Sequence, residues 1–419
     1  MKAGGPARSG AASTYRGQKA IVGSCNTTPS CHANRNPDKQ RDKTVFVRLK
    51  FAINGNKTPT NLMKTLTPLR SLAVTWVTIA VFLTCLNVLA GPRPRFRLTD
   101  LGALPGAQAG GIAYALNDHG DVVGMAVNSN GMGRPFLYRD GRMTDPGTAP
   151  GWGKAVAINN AGQIVTHEFV DPQLHSFVID GERVIDLSAQ AGHWASAMSV
   201  NKAGVVVGVT TPDGINGEQG RQYNAFSWSN GVFTTLGTPT NSLTAVARDI
   251  NKRGVIAGQI TIASYYHGLD GFRAALFLNT QGTILGLLKE AVGSTATAIN
   301  DLGDVTGDAY YTPYTDGHVR AFISVRGRMR SIGVLRGDVI SNANDINNSR
   351  QVVGISQDLV GEPRAFLYSG GQLYDLNDLV KHARGWHFRT ANAINNRGQI
   401  VGEALVEGGS RPYLLTPVR

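Results

Sequence analysis

From about residue 95 to its end, the chain alternates short aliphatic runs with tight polar turns, and the alternation repeats. One copy reads Ala391-Asn-Ala-Ile-Asn-Asn-Arg-Gly-Gln-Ile-Val-Gly402; another reads Ala296-Thr-Ala-Ile-Asn-Asp-Leu-Gly-Asp-Val-Thr-Gly307. Apolar runs flank an Asn-x-x-Gly tetrad, which predicts two antiparallel strands joined by a turn. The Asn occurs seven times, at Asn117, Asn159, Asn201, Asn251, Asn300, Asn347 and Asn395. At the head of such a turn Asn accepts a hydrogen bond from the backbone two residues on, and Gly at the fourth place takes the left-handed conformation of a type I turn with a bulge. Gly fills that place in six copies and Arg350 in the other. A positive φ costs Arg on the order of 1 kcal/mol, so the sixth repeat is expected to bend differently.

Four residues ahead of each Asn stands Ala (Ala113, Ala155, Ala197, Ala247, Ala296, Ala343 and Ala391), and one residue ahead stands an aliphatic such as Ile299 or Ile394. A small face backed by an aliphatic face suits a crowded innermost strand. Each repeat continues through a variable loop to a third strand with an aromatic at one place: Phe136, Phe177, Phe226, Phe277, Phe322, Phe366 and Tyr413. Tight turns follow, as at Asp140-Gly141, Asp180-Gly181, Asn230-Gly231 and Gly370-Gly371, dipeptides suited to type I′ hairpins. A fourth strand such as Val184-Ile-Asp-Leu187 completes the unit. Four strands per repeat, at intervals of 42 to 50 residues, describe propeller blades.

The last repeat stops after its third strand at Tyr413-Leu-Leu-Thr-Pro417, and Phe96-Arg-Leu-Thr-Asp-Leu-Gly102 is a fourth strand lacking the first three. The expected fold is therefore all-β: a seven-bladed β-propeller of four-stranded antiparallel blades, with residues 95–103 completing the final blade and hiding both edges. An open β-solenoid is the alternative.

Composition divides the chain. Residues 1–62 carry eleven Lys/Arg, two acids, Cys25 and Cys31 without hydrophobic periodicity, which reads as a disordered basic extension. Residues 63–90 read as a signal peptide: Met63-Lys64 to Arg70, an apolar run to Leu86, and the small-residue junction at Ala90-Gly91. Translation from Met63 would leave 1–62 outside the product, and an uncleaved anchor is the competing reading of the apolar run. Setting aside the thirteen basic and two acidic residues of 1–90 leaves 28 against 27 in residues 91–419, which also hold no Cys. The basic balance thus belongs to the leader. A nucleic-acid partner is not expected, nor a membrane for the mature domain, nor Cys-based metal sites or disulfides.

The repeats resemble the extracellular HAF-repeat family, named for His-Ala-Phe at the start of the third strand. Here the triplet reads Arg320-Ala-Phe322 and Arg364-Ala-Phe366, with Asn224-Ala-Phe226 and His175-Ser-Phe177 as variants and no copy reading His-Ala-Phe. The resemblance covers residues 95–417; it implies export to the extracellular or periplasmic space and a repeat fold, and it brings no catalytic residues.

Up-and-down topology places the Asn-x-x-Gly turns on one face and the variable loops on the other, where binding residues are expected. Candidate binding residues there are Tyr223 in blade 3, Tyr265, Tyr266, His267 and Asp270 in blade 4, and Tyr310, Tyr311, Tyr314, Asp316 and His318 in blade 5. Tyrosines with carboxylates and amides suit a sugar chain, each ring offering an apolar face and a polar tip; packing of loop against loop is the competing role. His167, Glu168, Asp171 and His175 in blade 2 are metal-ligand types at a spacing that matches no known site. Trp152, Trp194 and Trp386 are expected to pack between blades. Two residues before the Asn, Asp249 and Asp345 replace the small residues of the other copies, and paired carboxylates are what glycoside cleavage uses. The expected function is an exported, monomeric binding or scaffold module for an extracellular glycan or protein partner, without catalysis or cofactor. The alternative is a carbohydrate-active hydrolase or lyase on the same ring.

Overall fold

A computed structural model describes residues 93–107, 110–211, 223–239, 242–262, 271–311 and 318–418. These form seven four-stranded antiparallel sheets, six of them in sequence order, as a seven-bladed β-propeller. In the seventh the order runs from Phe96–Asp100 to Gly409–Pro417, Ile400–Val406 and His387–Ile394, so the N-terminal strand closes the last blade. Among the described residues no helix is long and apolar enough to cross a membrane. The basic extension and the signal segment expected over 1–90 lie outside the described residues.

Innermost strands such as Gly293–Ile299 and Ile340–Ile346 carry the repeated Ala, and all seven Ala side chains are buried. Each of these strands has a β-bulge at the residue after the Ala, at Thr297 in Gly293–Ile299 and Asn344 in Ile340–Ile346. A bulge leaves an extra residue unpaired and bends the strand, re-aiming side chains. Here it brings the backbone against the second strand, where Gly stands opposite in six of the seven blades. A Cβ on Gly307 would lie 2.0 Å from the Thr295 carbonyl oxygen, and one on Gly402 2.0 Å from that of Thr390. In those six blades the final Gly of the cassette is therefore set by close packing. Blade 2 carries buried Thr166 at this rung, opposite Ala155, and nothing in the structure explains the tolerance.

Opposite that Gly, the third strand supplies Phe136, Phe226, Phe322, Phe366 or Tyr413. Blade 4 departs from expectation: Ala275 pairs with Gly258, while Phe277 sits two residues on, opposite Ile256. The blade 2 hairpin also differs, turning through Gly181-Glu182 between the paired Asp180 and Arg183. Blade 6 was expected to bend differently at Arg350 and does not. Arg350 adopts φ 59° and its N–H donates to Asn347 as in the Gly copies, while its Nε bonds Asp304 at 2.8 Å.

The residue two before the third-strand aromatic rung is Arg in five blades, and in blades 1, 6 and 7 it fastens the outer strand. Arg134 pairs with Asp145 at 2.8 Å, Arg364 with Asp375 at 2.9 Å, and His175 with Asp186 at 2.7 Å. In blades 4 and 5 the outer strand lacks the Asp, and Arg273 and Arg320 donate instead to the carbonyls of Val292 and Val339 in the next connection. The residue at this place in the repeat thus has a structural task.

Candidate functional site

The seven innermost strands enclose an axial channel of about 560 Å³, lined by the residues on either side of each repeated Asn. Every Asn holds its own turn, its Oδ1 accepting the N–H groups two and four residues on at 2.9–3.1 Å. Every Asn also reaches its neighbour, its Nδ2 donating to the backbone carbonyl of the next Asn at 2.9–3.2 Å. Seven such bonds run without a break from Asn117 round to Asn117.

The residue after each Asn forms a partial second ring. The Asp118 N–H donates to Asn160 Oδ1, that of Asp301 to Asn348 Oδ1, and that of Asn348 to Asn396 Oδ1. The recurrence of Asp or Asn at this place, in five of seven copies, was visible in the sequence and was missed as a signal.

Asp249 and Asp345 line the channel half-buried, and their oxygens are occupied. Asp249 accepts the N–H groups of Ile250 and Ile299 and the hydroxyl of Ser199, at 2.8, 2.9 and 2.8 Å. Asp345 accepts those of Ile346 and Ile394, both at 2.7 Å. Burial raises both carboxyls; the charge of Asp249 adds to the rise at Asp345, which is pushed up to about 7. Each carboxylate links its blade to the next, which is a structural role that needs no substrate.

The blade 2 ligand types do not converge. His167 is buried in the second strand with Nε2 2.7 Å from the Ala197 carbonyl oxygen, and burial lowers its pKa to about 4. Glu168 is buried too, accepting the N–H groups of Thr148 and Ala149 and the Thr166 hydroxyl. Asp171 lies in a two-residue turn and His175 is paired with Asp186. Among the described residues no group of three His, Cys, Asp or Glu is placed to hold a metal.

On the opposite face, the loops after the second strand are uneven, and those of blades 2 and 7 hold only two residues. Tyr265, Tyr266, His267, Asp270, Tyr314 and Asp316 lie outside the described residues. Tyr310, Tyr311 and His318 come together in blade 5, where the Tyr311 N–H donates to the His318 carbonyl. The Tyr310 hydroxyl is 3.1 Å from Thr295 Oγ1, its ring meets Phe272 edge-on, and Tyr311 packs against the neighbouring core. Burial raises the pKa of both phenols. Tyr223 belongs to another seam, its carbonyl accepting the Ala245 N–H. Tyr310 and Tyr311 are thus partly buried and packed.

Exposed apolar side chains that were not singled out from the sequence lie in blades 1 and 2. Trp152 lies against blade 1 as expected yet is 39% exposed, and Phe169 at 44% and Met132 at 38% are exposed in the same two blades. The Phe169 N–H donates to the Trp152 carbonyl at 2.8 Å. A Cβ on Gly133 would stand 2.8 Å from Trp152 Nε1, so that glycine lets the indole lie against the strand. Trp386 packs on Phe388 as expected.

The chain matches no family model and no curated protein in sequence. Among solved structures, it is similar to the β-propeller domain of the Trilobed protease from Pyrococcus furiosus, with TM-score 0.46, 14% identity, and coverage of 63% of this chain and 83% of that one. It is also similar to an acylaminoacyl peptidase from Pyrococcus horikoshii (TM-score 0.42, 12% identity, 72% of this chain), of which it spans 51%. A gluconolactonase from Xanthomonas campestris gives TM-score 0.34 and 13% identity, over 78% of this chain and 96% of that one. At such identities the likeness concerns the fold alone.

Proposed function

We propose that the protein is an exported binding or scaffold module that takes an extracellular glycan or a protein partner on its loop-bearing face, without turnover. The exposed Trp152–Phe169–Met132 surface carries this reading. Exposed aromatic side chains on a rigid frame supply contact area at low entropic cost. The hydrogen bonds that Asp249 and Asp345 accept from their own and the next blade support a structural role for them in this reading. The resemblance of the cassette to extracellular HAF repeats supports export.

The test is a glycan-array and partner-capture screen of the protein beside Trp152→Ala and Phe169→Ala. Each substitution is expected to weaken retention at least tenfold while changing stability by no more than about 0.5 kcal/mol, as exposed substitutions do. Retention unchanged in both variants would reject this surface.

A further inference from the structure

Each innermost strand turns its free edge toward the axis. The N–H of every repeated Asn is bonded within its turn, as Asn395 N–H is to Gln399. Antiparallel pairing alternates direction, so the N–H of the preceding residue points away from the ladder, into the channel. Seven such groups face inward, and four are taken by Asp249 (Ile250 and Ile299) and Asp345 (Ile346 and Ile394). The remaining three, on Leu116, Ile158 and Val200, belong to the adjoining blades 1, 2 and 3 and have no acceptor among the described residues.

The second ring is open in the same sector. Five of its seven N–H groups donate to an Asp or Asn oxygen on the next blade. The other two, on Asn160 and Lys202, face Lys202 and Lys252, which offer no acceptor. The exposed Lys202 side chain adds a cation at that mouth. Two independent rings therefore leave donors unmet on the same side of one channel. In every filled position the acceptor is a carboxylate or carboxamide oxygen.

We propose that the turn-side mouth of the channel, at blades 1 to 3, binds a small carboxylate. Its oxygens take the N–H groups of Ile158 and Val200 as Asp249 takes those of Ile250 and Ile299, and the Lys202 ammonium neutralises its charge. The levels before and after the Asn are about 7 Å apart along an extended strand, so a short dicarboxylate reaches both. Two carboxylates border the site: Asp118, with its oxygens taken by Asn160 and Asn396, and Asp249, with its oxygens taken by Ser199, Ile250 and Ile299. This site is on the face opposite the aromatic surface and does not depend on it.

The experiment is a succinate titration of the full-length protein, selectively 15N-labelled at Leu, Ile and Val, against chloride at equal ionic strength. Saturable amide shifts are expected at Leu116, Ile158 and Val200, with Ile250, Ile299, Ile346 and Ile394 unmoved as internal controls. Lys202→Asn supplies the acceptor that Asn348 supplies to Asp301, and should weaken binding at least tenfold. Ala157→Asp copies Asp249 and should abolish the shifts at Ile158 and Val200. Shifts that are absent, or equal across all seven amides, would overturn the proposal in the wild-type protein alone. So would undiminished affinity in either folded variant.

Discussion

The side-chain amide of Asn395 donates to the backbone carbonyl of Asn117 across 278 residues of sequence, at 3.0 Å. The first and last blades are thereby joined by the same bond that joins every other pair of neighbours. Closure uses two devices at different radii: this bond at the axis, and the Phe96–Asp100 strand at the rim of the last blade. Neither end of the sheet array is left as an open edge.

Asn300→Ala should lower stability by about 3 kcal/mol in denaturant unfolding, because it strands two N–H groups and a neighbouring carbonyl in a buried place. Asn300→Asp keeps both acceptor bonds but loses the donor to Asn347 and sets a charge against that carbonyl. It should also destabilise the protein, and tolerance of Asp would show that the inter-blade bond contributes nothing.

Gly307→Ala should cost about 3 kcal/mol or more, since its Cβ would sit 2.0 Å from the Thr295 carbonyl oxygen and relief requires backbone movement. Gly327→Ala is the control, in a turn with nothing within 4 Å; it pays only for its φ of 75°, on the order of 1 kcal/mol. Equal melting losses would remove the close-approach account of the cassette Gly.

At Arg350 two effects oppose. Arg350→Gly relieves about 1 kcal/mol of left-handed strain but removes the charged hydrogen bond to buried Asp304, a class of bond that contributes about 1.5–3 kcal/mol. The loss is larger, so the variant should be less stable although Gly is the better turn residue. A stabilised variant would show that the pair is too solvated to matter.

Much of this architecture was legible in the sequence, because the turn chemistry of Asn-x-x-Gly and the invariant Ala repeat with the blade. The missing strand at one end and the spare strand at the other fixed the closure. The inter-blade reach of the Asn was not legible, since it depends on which carbonyl the ring brings opposite. Phe277 was misplaced by two residues because blade 4 puts Ala275 at the aromatic rung, and only strand register reveals that. Of the tyrosine candidates, Tyr310 and Tyr311 are held by hydrophobic contacts, while Tyr265, Tyr266 and Tyr314 lie outside the described residues. Trp152 packs against blade 1 as its place in the connection implies, and part of its surface stays exposed.

The pH dependence of stability carries opposing slopes. Asp345 titrates at about 7 in the fold and near 4 unfolded, so the folded state holds the extra proton and stability falls as pH rises from about 4 to 7. Asp308, raised to about 6 by burial, adds to that fall up to about pH 6. His167, lowered to about 4, acts the other way: the unfolded chain binds its proton first, so stability rises between about pH 4 and 6.5. Asp345→Asn should flatten the fall and His167→Gln should steepen it, measured as urea midpoints from pH 5 to 7.5. The reverse pairing would contradict these assignments.

Asp249 and Asp345 each tie their blade to the next. The direct measurement is turnover of glycan substrates by the wild-type protein beside Asp249→Asn and Asp345→Asn, with retention of the same glycans recorded in each sample. Retention without turnover in all three, and reduced stability in the two variants, is the predicted result. Wild-type turnover that vanishes in both Asn variants while retention persists would make Asp249 and Asp345 catalytic and contradict the account.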